Sequence, residues 1–258
     1  MKALSIAASG MMAQQRRTEV VANNLANMNT SGYQKRRTEF NDLIYKFNPR
    51  ANSVSSKSGH RVPGDVHSGL GVKMAAVYRV NEAGTAKQTG NKFDMAIQGE
   101  GFFQVQLPNG EIGYTRDGSF QVNENAQLVS HDGFIIQPGI IIPPNTTDVT
   151  ISVGGTVQAK IAGTDTPVNA GTVQLALFAN PGGLDAVGNN LFLATDRSGA
   201  ANQVNPGAGG SGAVMQGFVE SSNVNAIEEI SALIKAERAY SMNAKVLTTA
   251  DQMMATRR

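Results

Sequence analysis

The sequence predicts a mixed α and β fold: long N- and C-terminal helices that pair as a coiled coil, with a central antiparallel all-β domain between them. Three observations carry this. Apolar residues recur at alternating spacings of three and four over the first 30 and the last 34 residues. The middle holds short β-branched runs separated by turn dipeptides such as Asn109-Gly110 and Asp132-Gly133. The composition is that of a packed chain, with 258 residues, 41% hydrophobic, 16% charged and a net charge of +2, which excludes disorder. The 28 glycines follow no three-residue period, which excludes a collagen-like chain.

The first helix is read from Leu4, Ala7, Met11, Gln14, Thr18, Val21, Leu25 and Met28, of which six of eight are apolar, the seam of a coiled coil. The pattern stops at Asn29-Thr30-Ser31-Gly32, where Gly32 supplies a left-handed cap. The basic start and short apolar run superficially resemble a signal peptide. The periodicity continues well past Ala13, so an uncleaved N-terminus is expected.

Residues 47–72 (Phe47 to Val72) are rich in Ser, Gly, Asn and Lys and read as a long extended or irregular segment. Strands are expected at Ala75–Val80, Phe93–Gln98, Phe102–Leu107, Glu111–Thr115, Ser119–Val122, Phe134–Gln137, Asp148–Val153, Thr156–Ile161, Thr172–Phe178 and Val214–Val219, forming a meander or barrel-like domain. Residues 198–213 form a second irregular stretch. The last helix has Asn225 as N-cap with Glu228 three residues on. Its seam is Ala226, Ile230, Leu233, Glu237, Tyr240, Ala244, Leu247, Asp251 and Met254, seven of nine apolar. Each terminal helix spans roughly 40–50 Å. The division expected is 1–33 with 225–258 as the helical domain, 34–92 with 198–224 as a connecting region, and 93–197 as the β domain.

The small net charge hides an asymmetry. Residues 1–92 hold 14 Lys/Arg and 5 Asp/Glu, residues 93–219 hold 3 and 10, and the remainder cancels. Unlike blocks suggest self-association. The cluster Lys35-Arg36-Arg37 lacks any nucleic-acid signature around it and reads as a solvated basic turn, so no nucleic-acid partner is expected. The longest apolar stretch, Phe134 to Ile142, is broken by Gln137, Pro138 and Gly139, so no membrane insertion is expected.

Chemistry finds no foothold. The absence of cysteine removes disulfide scaffolds, thiol nucleophiles and thiolate metal sites. His60 and His67 match no metal spacing, and His131-Asp132 beside Ser130 is not a triad. Gly207 to Gly212 satisfies G-x-G-x-x-G, but Pro206 precedes it and a strand follows it, so the dinucleotide reading fails on context. No catalytic, cofactor or metal residue is expected. A secreted β-domain binding module using Tyr78, Tyr114 and Phe120 and a hydrolase built on His131 are the rival classes.

Three longer motifs are more specific. The first contains Ala22, Asn23, Asn24, Leu25, Ala26, Asn27, Thr30, Gly32 and Tyr33, followed by a basic run ending in Phe40. The second runs from Phe93 through Gly99, Gly101, Phe102 and Phe103 to Val105, then Tyr114-Thr-Arg-Asp-Gly-Ser-Phe120. The third is Gln216 to Asn225, then Glu228-Glu229 and Glu237 to Lys245. Together they resemble the bacterial flagellar basal-body rod and hook proteins, and the opening and length are most like the distal rod members, with proximal rod members next. One departure is Ala226, where the family often has proline; alanine is an excellent helix former, so the helix start is not expected to suffer.

The resemblance implies a non-enzymatic structural subunit that polymerises into a rigid hollow tube, transmits torque across the periplasm and conducts exported subunits. It implies assembly through Leu4, Ala7, Met11, Val21, Leu25, Met28, Ile230, Leu233, Tyr240, Leu247 and Met254. The partners implied are other copies of the chain, proximal rod proteins and hook protein at the two ends, surrounding P- and L-ring proteins, and the export apparatus. It implies export without a cleaved signal peptide and places residues 47–72 where distal rod members carry a stretch thought to stiffen the rod.

Overall fold

A computed structural model describes residues 2–48, 66–164 and 166–256. It has a helix at each end and an antiparallel β-rich region between them. Packing divides the chain into two units: residues 1–25, 36–78 and 226–258 form one, and residues 26–35 and 79–225 the other.

In the first unit, α1 spans Lys2–Ala26 and α2 spans Ala226–Ala255. Neither contains proline, and α2 opens with Glu228 and Glu229 in its first turn, where carboxylates suit the positive end of the helix dipole. The covered side of α1 is made of small and polar residues: Ala7, Ala13, Val21 and Asn24 are buried. On α2 the buried residues are Ala236 and Ala250. Two approaches relate the helices. Asn24 Nδ2 donates to Glu229 Oε2 at 3.2 Å. Fourteen residues earlier in α1 and fourteen later in α2, a Cβ placed on Gly10 would lie 2.7 Å from Asn243 Nδ2. The helices therefore run antiparallel in one register, with Gly10 leaving room for Asn243.

The same unit contains a two-stranded ribbon of Arg36–Asp42 and Val72–Arg79. The basic run is thus a strand, not the turn expected from its charge. Only Thr38 and Phe40 are half-covered along Arg36–Asp42, so its side chains bury little and its course is set from outside. Asn24 does part of this: its Oδ1 accepts from the Arg36 N–H at 2.9 Å and its Nδ2 donates to Arg36 O at 2.8 Å. Lys46–Asn48 pairs with Val66–Ser68, so the ends of the segment expected to be irregular are paired strands. Residues 49–65 of that segment, including His60, lie outside the described residues.

In the second unit the main sheet has nine antiparallel strands. Phe102–Gln106 is its hub: it pairs with Ile112–Thr115 along one edge, and along the other with Leu175–Leu177 and then Ile135–Ile136. Alternation sends Phe103 and Phe102 to opposite faces, and both faces are buried. Phe103 packs on one side with Phe120, Leu128, Ile136 and Leu175, its ring edge-to-face with Phe120 at 5.2 Å. Phe102 packs on the other with Tyr114, Phe178 and Phe192. Each such side chain removed from water contributes about 1.5–3 kcal/mol. A three-stranded sheet, Thr146–Ile151, Thr156–Ile161 and Val168–Thr172, lends Val149, Ile151 and Val157 to the first core.

Two expected strands are each split. Thr172–Phe178 becomes Val168–Thr172 and Leu175–Leu177, and Val214–Val219 becomes Ala213–Gln216 and Phe218–Glu220 on either side of Gly217, whose φ is +76°. The stretch 198–213 is not wholly irregular, since Asn202–Val204 pairs with Leu175–Leu177.

Candidate functional site: a motif joint and two helix surfaces

The three motif segments meet in the second unit around Arg116 and Glu220. Both side chains are only 4% exposed, and Arg116 Nε lies 3.3 Å from Glu220 Oε2, an ion-pair contact without hydrogen-bond geometry. The guanidinium is held by donation of Nη1 to Gly101 O at 2.9 Å and of Nη2 to Gly99 O at 2.8 Å. Gly99 and Gly101 have φ of +125° and +130°, a backbone that L side chains rarely adopt and that turns both carbonyls to the arginine. Glu220 Oε1 accepts from the Gly84 N–H at 2.9 Å, and Glu220 O accepts from the Gly32 N–H at 2.8 Å.

Gly32 therefore does more than end a helix. α1 stops at Ala26, six residues earlier, and a Cβ on Gly32 would sit 2.6 Å from Asp117 N. Between the two, Thr30 closes a turn on Asn27, with N–H to O at 3.2 Å and Oγ1 to Oδ1 at 3.3 Å. Tyr33 N–H returns to Thr30 O, and Asn23 is exposed. Asn223 completes the joint: its Oδ1 accepts from the Lys35 N–H at 2.6 Å, and its Nδ2 donates to Val80 O and Glu82 O.

Burial shifts both charged groups toward neutrality. It lowers the Arg116 pKa, countered by attraction from Glu220 and then Glu100. It raises the Glu220 pKa, countered by Arg116 and the Gly84 N–H. Arg116, Glu220 and Asn223 were not singled out from the sequence. Their signal was available, since all three lie inside the quoted motifs.

The helix residues expected to mediate assembly divide by exposure. Ala7 and Val21 are buried; Leu4, Met11, Leu25, Leu233 and Leu247 are half-buried. Met28, Ile230, Tyr240 and Met254 are exposed, at 38–46%. Ile227 and Ile234, outside the predicted seam, are also exposed beside Ile230 on α2.

His131 lies half-exposed, Nδ1 3.6 Å from Asp117 Oδ2 and Nε2 3.4 Å from Asp132 Oδ1. Among the described residues no group of three His, Asp or Glu side chains is placed to hold a metal ion. No described helix is long and apolar enough to cross a membrane.

Three family models match along the chain: a flagella basal body rod protein model over residues 4–34, a flagellar hook protein FlgE/F/G D1 domain model over 96–159, and a flagellar basal body rod FlgEFG protein C-terminal model over 215–256. The chain is 52% identical to the flagellar basal-body rod protein FlgG of Caulobacter vibrioides, over 98% of this chain and 97% of that one. It is 44% identical to that of Agrobacterium fabrum, over 98% and 97%, and 42% identical to that of Borreliella burgdorferi, over 98% and 96%. The matched segments contain Asn24 and Gly32, Arg116, and Glu220 in turn, and by near-full-length identity above 40% the chain belongs to the flagellar basal-body rod protein family, whose members are structural proteins of the basal body and not enzymes.

Proposed function

We propose that the chain is a subunit of the distal rod, polymerising with other copies into a rigid hollow tube that transmits torque across the periplasm and conducts exported subunits. The observation that carries this is the outer side of α2. Ile227, Ile230 and Ile234 are 77%, 45% and 44% exposed, within two turns of helix that a lone chain leaves in water. Burying them against neighbouring copies is the favourable use of that surface. In this reading residues 1–33 and 225–258 pair as a coiled coil in the inner wall, 34–92 and 198–224 connect, and 93–197 face outward. The antiparallel approach of Asn24 to Glu229 and Gly10 to Asn243 supports the pairing.

The axial neighbours are proximal rod proteins and hook protein, with P- and L-ring proteins outside and the export apparatus below. The short apolar run at the start of α1 is part of the helix packing in this reading, since Ala7 and Ala13 are buried.

Electron microscopy of concentrated protein tests this. Straight tubes are expected from the wild type and none from Ile234→Asp. Curved filaments, or tubes from both proteins, would overturn it.

A further inference from the structure

A cleft of about 290 Å³ opens in the β unit, lined among others by Gln34, Glu100, Phe102, Arg116, Phe178 and Pro181. It lies just below the range of roughly 300–1,000 Å³ in which small-molecule sites fall, and suits one long side chain better than a metabolite.

Its chemistry favours a cation. Gln34 is 4% exposed, yet its Oε1 is buried without a hydrogen-bond partner. An unpaired buried polar atom carries a desolvation penalty, and a donor that drew the Gln34 amide toward the cleft would remove it. Arg116 at the cleft is already neutralised by Glu220 and two carbonyls, while Glu100 also attracts it from an exposed position. One cation against two carboxylates leaves a surplus negative charge. Arg79 donates to Pro181 O at 2.7 Å but stacks on Phe192 and does not line the cleft. The rings of Phe102 and Phe178 offer an apolar wall for an alkyl stem whose charged head stays among oxygens.

We infer that this cleft receives a lysine or arginine side chain from a second copy of this chain. The choice of occupant rests on charge and on the self-assembly proposed above. Residues 93–219, which form most of the cleft, hold 10 acidic and 3 basic residues. Residues 1–92 hold 14 basic and 5 acidic ones, and their ribbon exposes Arg36, Arg37 and Lys73.

Two measurements test it. The first titrates dilute monomer with n-butylguanidinium chloride and follows the Glu100 amide and the Gln34 side-chain amide by NMR. Saturable shifts are expected, weakened several-fold in Glu100→Gln, and a flat response would overturn the site whether or not the protein assembles. The second uses the chain's lack of cysteine. Glu100→Cys protein is assembled with Arg36→Cys, Arg37→Cys or Lys73→Cys protein and oxidised. A disulfide-linked dimer from at least one mixture is expected, on a non-reducing gel. Tubes that form without any such dimer overturn the second copy as occupant and leave self-assembly standing; failure of the wild type to form tubes overturns both.

Discussion

Replacing Arg116 with methionine removes the charge from the motif joint while keeping most of the volume. Glu220 then keeps only the Gly84 N–H against a 4% exposed carboxylate, and Gly99 O and Gly101 O lose charged donors. Breaking a buried pair from one side costs about 3–5 kcal/mol. That is a large share of the roughly 5–15 kcal/mol a folded domain has in total. For a unit of this size it corresponds to a fall in Tm of about 6–20 °C. The assay is thermal and urea unfolding followed by circular dichroism, since the chain has no tryptophan. The double variant R116M/E220M should recover at least half the loss, because it leaves no unpaired buried charge.

The pH dependence has a definite sign. The folded Glu220 pKa is raised by burial, and losing Arg116 removes the chief influence holding it down. A carboxyl with a raised folded pKa binds its proton more tightly folded than unfolded, so stability grows as pH falls from the folded value toward the ordinary glutamate value near about 4.3. The R116M deficit should therefore narrow over that window. A single-variant loss under about 1 kcal/mol, or a double variant costing the sum of the singles, would refute the coupling.

Other outcomes follow from separate contacts. Gly118→Ala places a Cβ inside contact distance of Met95 O, against backbone that already pairs through Met95 N–H to Gly118 O; it should cost about 3 kcal/mol or more in urea unfolding. Asn24→Ala removes both of its hydrogen bonds to Arg36, each about 1 kcal/mol net, and should accelerate amide exchange at Arg36 by tenfold or more while leaving Phe103 protected. Lys92→Met removes the hydrogen bond and charge that lower the Asp148 pKa, so NMR titration should find that carboxyl back near its ordinary value. Because both side chains are more than half exposed, the unfolding midpoint near neutral pH should not move measurably.

The helices were legible because their signals are local. Asn225 marks the start of α2 at Ala226, and the apolar period begins beside Lys2. α1 ends earlier than its apolar period predicts, since Gly32 answers to Asp117 and Glu220, far away in sequence. The hub strand was readable from Phe102 and Phe103. Arg36–Asp42 was not, because its apolar content is one phenylalanine and its conformation is imposed by Asn24 and a strand over 30 residues away. The hairpin Asp185–Gly188 to Leu191–Leu193 carries a local signal of its own. Asn189 and Asn190, with φ of +50° and +55°, are asparagines where a tight hairpin turn needs left-handed residues. The motif joint was legible as a pattern and opaque as geometry: its ion pair joins residues 104 positions apart.

The common register of α1 and α2 limits how their lengths can change. Deleting one residue between Gly10 and Asn24 would move Ser9 into the slot where a Cβ already comes within 2.7 Å of Asn243, and Ile6 into the buried slot of Ala7. Every residue before the deletion would turn by about 100° and slide about 1.5 Å. A deletion of seven residues returns the remaining side chains to within about 20° of their original faces. Natural insertions and deletions in these helices should therefore come in sevens or elevens, and a length difference of one or two residues between two relatives would mark a place where the helices part.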